Sequence, residues 1–130
     1  MEKWYSEERK STTKIKLVTN FQAEEAETAV LKRIEKLEMQ IDDNSYGTIT
    51  TLGKGIGDWS FRFRFEISGN DIVVSGEWAG EPAFNPADPN IFTYHWSQIR
   101  KESEGIGSPK YEVLKAVAES INHTSIFYNR

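Results

Sequence analysis

The chain has 130 residues, no cysteine, and 20 acidic against 16 basic residues, which gives a formal net charge of −4 at pH 7. The length predicts one domain over residues 1–130 that needs no disulfide or metal to fold, and the lack of cysteine excludes disulfides, thiolate metal sites and a cysteine nucleophile. The acidic balance argues against non-specific nucleic-acid binding, the charged N-terminus is unlike a signal peptide and no stretch is apolar enough to cross a membrane, so we expect a cytoplasmic protein.

The first third of the chain predicts an arm, a strand and a long helix. Residues 1–11 are polar and form a loosely attached arm in this interpretation, with Trp4 and Tyr5 docked either on the sheet or on a second copy. Residues 14–19 alternate weakly and predict a strand. A helix should follow from about residue 21 to 41, with an apolar stripe at helical spacing: Ala23, Ala26, Val30, Ile34, Leu37 and Ile41.

The middle of the chain predicts a β-hairpin with a defined register. A strand over 46–52 and a flexible glycine-rich turn over 53–58 lead into it. Residues 59–67 alternate strictly between apolar and polar, and Gly69–Asn70 is a pair suited to a two-residue turn. The turn then sets the partners across the two strands: Ile67 with Ile72, Phe65 with Val74, Phe63 with Gly76, Phe61 with Trp78, Arg62 with Glu77, and Arg64 with Ser75.

The last third predicts a loop, a strand, a helix and a final strand. Three X-Pro steps over 79–90 predict a long shaped loop without regular structure. A strand over 91–97 and a polar linker over 100–107 follow, and Ser108–Pro109 is typical of a helix start. A short strand over 124–128 follows the second helix. The helix should bury an apolar stripe that consists of Tyr111, Leu114, Val117, Ala118 and Ile121. The sequence thus predicts an α+β fold in the order β-α-β-β-β-β-α-β, a mostly antiparallel sheet with two helices packed on one face.

An acidic, aromatic stretch is the leading candidate for function. No Lys or Arg occurs from Phe65 to Ile99, and aromatic residues dominate the energetics of protein interfaces. We therefore expect a small non-catalytic binding module that blocks or sequesters a protein partner with a basic surface, without a cofactor. Immunity proteins against toxins and phage-encoded anti-defence inhibitors are analogies at the level of class only. The expected contact residues are Glu77, Trp78, Glu81, Phe84, Asp88 and Trp96.

The two histidines support an enzymatic alternative. His95-Trp96-Ser97 and His123-Thr124-Ser125 repeat one pattern, which resembles the signature of two-histidine phosphoesterases. The resemblance implies that the imidazoles act as acid and base on a phosphodiester while the hydroxyls of Ser97 and Ser125 bind its oxygens. Imidazoles titrate near neutral pH and suit that chemistry.

Two arginines on the polar face of the hairpin leave a third hypothesis open. Arg62 and Arg64 either pair with acidic neighbours across the strands or bind a carboxylate or phosphate. A further alternative is a protein that sequesters a small, nucleotide-like ligand in a concave aromatic pocket between the sheet and the helices. No acidic or histidine spacing matches a metal-binding loop, so no metal site is predicted.

Overall fold

The computed structural model describes residues 2–102 and 108–129 and confirms the α+β class. The part of the predicted linker at 103–107 lies outside the described residues. In chain order the elements are β1 (Ile15–Val18), α1 (Ala23–Lys36), β2 (Ile41–Ser45), β3 (Thr48–Thr51), β4 (Lys54–Ile56), β5 (Trp59–Ser68), β6 (Asp71–Ala79), β7 (Ala83–Asn85), β8 (Asp88–Thr93), β9 (Ser97–Gln98), α2 (Pro109–Glu119) and β10 (Ser125–Tyr128).

The β5–β6 hairpin is the centre of an antiparallel sheet with the order β10-β1-β6-β5-β3-β2. Strand β4 also pairs with β5, and β9 also pairs with β6. The predicted register is confirmed at all six pairs. Agreement between the turn and the alternation explains why this hairpin was predictable, since a slip of one residue would turn the apolar face to water.

The core lies between the helices and the face of β5 that carries Phe61, Phe63 and Phe65, all at most 2% exposed. Gly76 lies opposite Phe63 and leaves room for its ring, as predicted, because a Cβ there would come within 2.9 Å of the ring. Each helix buries part of its predicted stripe in this cluster, α1 through Ala26, Val30 and Ile34 and α2 through Tyr111, Leu114, Val117 and Ala118.

Helix α1 is shorter than predicted, and the strand after it was missed. The helix ends at Lys36, and Glu38 adopts a positive φ of 56° that closes its last turn. No glycine marks this end in the sequence. Ile41, which the helical stripe included, is 43% exposed and begins β2. Residues 53–58, predicted as a flexible turn, contain the short strand β4.

The region predicted as an irregular loop over residues 79–90 is mostly a separate two-stranded hairpin formed by β7 and β8. The prolines do not prevent pairing because each avoids a ladder position. Pro82 precedes β7, Pro86 lies in the turn and Pro89 falls where the register shifts. The predicted strand over 91–97 is correspondingly divided between the end of β8 and the start of β9.

The N-terminal arm has more contacts than the loose attachment suggested by the sequence. Tyr5 and Tyr128 exchange two backbone hydrogen bonds of 2.8 Å each, which extends the sheet beyond β10. The ammonium of Lys16 lies 5.3 Å from the ring centroid of Trp4. Both aromatic residues of the arm therefore dock on the sheet of their own chain.

Candidate binding surface

Four aromatic rings form a continuous strip from the β7–β8 hairpin to the sheet. The aromatic strip, as we call it, consists of Phe84, Phe92, Tyr94 and Trp96. Successive ring centroids along it are 5.9, 5.9 and 5.7 Å apart. Phe84 and Phe92 are cross-strand partners, so their side chains share one face of the hairpin. The rings support each other and present an ordered surface.

The outer part of the aromatic strip is open to solvent. Phe84 is 63% exposed and Phe92 is 51% exposed, and the neighbouring Ile91 is 52% exposed. Within the described residues, β7 and β8 pair only with each other. Contiguous exposed apolar surface of this kind is typical of interaction sites.

Trp96 connects the aromatic strip to the outer face of the sheet, by which we mean the face opposite the helices. Its indole lies against the backbone of Gly53, where an added Cβ would come within 2.8 Å of the ring. The guanidinium of Arg62 stacks on the same indole at 4.3 Å, and its Nε donates a 2.8 Å hydrogen bond to Glu77. The base of the strip is thereby held by β5, β6 and the segment between β3 and β4.

The structure brings together most, but not all, of the predicted contact residues. Glu81 and Asp88 lie on or beside the hairpin that carries Phe84, and Glu77 anchors the base of the strip through Arg62. Trp78 lies on the opposite face of the sheet, paired with Phe61. Its ring contacts the ammonium of Lys110 at 3.6 Å in a cation–π interaction.

Sequence reasoning missed two members of the strip. Phe92 and Tyr94 were not among the expected contact residues. The signal was present, because Phe92, Tyr94 and Trp96 recur at every second residue, and side chains at that spacing share one face of an extended chain. The pairing of Phe84 with Phe92 depends on the hairpin and had no such signal.

A groove of about 680 Å³ crosses the outer face over β5 and β6. It opens where both neighbouring strand pairings are interrupted. Beside β5, the groove lies between the end of the pairing with β3 and the start of the pairing with β4. Beside β6, it lies between the part that pairs with β1 and the part that pairs with β9. The backbone N–H of Phe63 donates instead to Oγ1 of Thr51 at 2.9 Å. The side chains that line this outer groove are mostly polar: Asp42, Thr50, Arg62, Arg64, Ser75, Glu77 and Gln98.

The two histidines lie at opposite ends of β6. His95 precedes β9, which pairs with Trp78 near the C-terminal end of β6. His123 precedes β10, which pairs through β1 with Asp71 at the other end. At about 3.3 Å per residue the ends are roughly 20 Å apart, too far for an acid and a base to reach one phosphodiester. This geometry speaks against a phosphodiesterase site that combines His95, Ser97, His123 and Ser125.

A buried ionisable group lies where the N-terminal arm meets α2. Oε1 of Glu8 accepts a 2.7 Å hydrogen bond from Nζ of Lys115, and Oε2 of Glu8 and the hydroxyl of Tyr111 are both buried. Burial raises the pKa of Tyr111, and the nearby Glu8 carboxylate raises it further. Burial opposes ionisation of Glu8, but Lys115 and Tyr111 hold its pKa below the usual value. The Glu8–Lys115 pair links the arm to α2, and Glu8, Tyr111 and Lys115 are not among the residues that line the groove described above.

Across residues 2–102 and 108–129 no three acidic or histidine side chains are grouped as a metal site would require. Neither helix in that part of the chain has the length and apolar character needed to span a membrane. Comparison of the chain with family models, curated proteins and solved structures found no match.

Proposed function

We propose that this chain is a non-catalytic protein-binding module whose contact surface is the aromatic strip. The observation that carries the proposal is the exposure of Phe84 and Phe92 on a hairpin that no other element covers within the described residues. Binding to this surface would block or sequester the partner, in the manner of an inhibitor or immunity protein.

The energetics of the strip favour a protein partner. Aromatic side chains bury a large area and lose little conformational entropy on binding. Here the rings of Phe92, Tyr94 and Trp96 already contact one another, so part of the ordering cost is met before binding. The strip can therefore act as a central cluster of hot-spot residues.

The charge around the strip favours a partner with a basic rim. Asp88 lies on the hairpin and Glu81 just before it, and no Lys or Arg lies between Phe65 and Ile99. Acidic groups at the edge of an interface speed association with a basic protein and weaken binding to an acidic one. A second copy of this chain would bring two acidic hairpins together, so a different, basic protein fits better.

The test is quantitative binding to a partner captured from extracts of the native host. Phe84→Ala and Phe92→Ala should each raise the Kd about tenfold or more, the effect expected of a hot-spot aromatic. Glu81→Lys combined with Asp88→Lys should lower the association rate mainly at low salt. Tyr46→Ala is the matched control, because Tyr46 is a fully exposed aromatic in the β2–β3 turn.

The outcomes separate a specific surface from general stickiness. Loss of affinity in both phenylalanine variants with unchanged affinity of Tyr46→Ala supports the proposal. Equal affinity of wild type and both phenylalanine variants contradicts it, as does a loss in Tyr46→Ala of the same size. Circular dichroism of each variant shows that the fold is intact.

A further inference from the structure

We propose that the outer groove is a second binding site, for a small phosphate monoester held by the Nη groups of Arg62 and Arg64. Both guanidinium groups line the groove. This site lies on the sheet and does not use the exposed rings of Phe84 and Phe92, although Trp96 at the base of the strip stacks on Arg62.

Both arginines are held in place by contacts that leave donors available. Among the described residues, the hydrogen bond of Arg62 uses Nε, which donates to Glu77, and that of Arg64 also uses Nε, which donates to Glu66 at 3.1 Å. A guanidinium has five N–H donors, so four on each arginine remain for a ligand. Trp96 covers one face of the Arg62 guanidinium and restricts its motion.

The spacing of the two arginines suits a phosphate better than a carboxylate. Arg62 and Arg64 are two residues apart on one strand, so their side chains start about 6.5 Å apart on the same face. Guanidinium groups at that spacing can approach one anion from two sides. A carboxylate has two oxygens, which a single guanidinium fork already satisfies. A phosphate monoester has three terminal oxygens and can accept from both forks.

The acidic neighbours limit the charge that the groove accepts. Glu77 and Glu66 already neutralise the two arginines, and Asp42 lies in the groove wall. A monoester of charge near −2 can still gain from short hydrogen bonds to Nη. A triphosphate would place its additional negative charge against these carboxylates without further cations in the groove lining. The groove should therefore prefer a monophosphate.

The groove is large enough for more than the phosphate. Its volume of about 680 Å³ falls within the range of roughly 300–1,000 Å³ common for small-ligand sites. Thr50, Ser75 and Gln98 supply hydroxyl and amide groups along its sides, which can pair with the hydroxyls of a sugar. A nucleoside monophosphate is thus a suitable probe, and AMP is the one we choose.

The test is titration of ¹⁵N-labelled full-length protein with AMP, ATP and inorganic phosphate in buffer free of divalent cations and phosphate. AMP should saturate at or below roughly 1 mM and shift the amides of Arg62, Arg64 and Ser75. Inorganic phosphate should bind at the same amides but more weakly than AMP, and ATP should also bind more weakly. Arg64→Gln should raise the Kd for AMP about tenfold, because it removes charge-assisted hydrogen bonds.

Matched variants make each outcome decisive. Arg33→Gln removes the same charge from α1, on the helical side of the sheet, and should leave AMP affinity unchanged. Phe84→Ala should also leave it unchanged, which separates this site from the protein contact. No saturable shift with AMP, tighter binding of ATP than AMP, or equal losses in Arg64→Gln and Arg33→Gln would each overturn the proposal.

Discussion

A single methyl group added at Gly76 should destabilise the protein, although glycine is a poor strand residue. Gly76 lies on β6 opposite Phe63. A Cβ there would lie 2.9 Å from Cδ1 of Phe63, 3.0 Å from the carbonyl oxygen of Arg62 and 3.1 Å from Cδ1 of Ile99. Side chains can give way by changing rotamer, but the carbonyl belongs to the central hairpin and moves only with the backbone.

The magnitude follows from two opposing effects of Gly76→Ala. Alanine lowers the entropy of the unfolded chain, which stabilises the fold by about 0.4–1 kcal/mol. Overpacking a filled core costs about 1–3 kcal/mol, and contact with the backbone carbonyl of Arg62 places this site in the upper part of that range. We expect a net loss of about 1–2 kcal/mol, which corresponds to a fall in Tm of roughly 4–8 °C for a chain of this size.

The assay is urea unfolding followed by tryptophan fluorescence, with Gly55→Ala as the control. Gly55 is also a strand glycine, but an added Cβ meets no atom within 4 Å. That variant should be neutral or up to about 1 kcal/mol more stable. Equal stability of the two variants, or a Gly76→Ala protein as stable as wild type, would refute the close approach at Phe63.

Two further predictions concern buried polar groups. Thr51→Val should lower the free energy of unfolding by about 1–3 kcal/mol, because it leaves the N–H of Phe63 buried without its acceptor. Urea unfolding measures this loss. Thr50→Val, on the outer face, is the control and should lower the free energy of unfolding by less. Stability should also fall as the pH rises above about 10, the ordinary pKa of tyrosine. Folding raises the pKa of Tyr111. The contribution of Tyr111 to the free energy of unfolding is therefore complete below the pKa that it has in the unfolded chain, and is lost as the unfolded chain ionises above that pKa. Tyr111→Phe should reduce the alkaline fall measured by unfolding between pH 9 and 11, and an unchanged fall would show that other groups cause it.

The features predicted well are those that neighbouring residues specify. The β5–β6 register follows from the Gly69–Asn70 turn together with strict alternation. The buried faces of α1 and α2 follow from 3.6-residue spacing, and the start of α2 follows from Ser108–Pro109. In each case two local signals agree, and such agreement favours one structure over its alternatives.

The errors occurred where local signals were absent or ambiguous. The end of α1 depends on Glu38 in a left-handed conformation, which residues other than glycine seldom adopt. Strand β2 is polar after Ile41 and exposed at all but its last residue, so it carries no alternation to detect. The β7–β8 hairpin was hidden by its prolines, whose compatibility with pairing depends on register positions that composition does not show.

In the candidate sites, too, some features follow from the sequence and others depend on the tertiary structure. The sequence by itself determined the charge of the acidic stretch, the alternation of its aromatic residues, and the placement of Arg62 and Arg64 on the polar face of β5. Only the tertiary structure decided that Trp96 reaches across to Gly53 and that Trp78 lies on the opposite face. It also decided that the two histidines lie at opposite ends of β6. Local patterns set which way a side chain points, whereas contacts between distant segments depend on how strands pair, and that pairing is settled by packing of the whole chain.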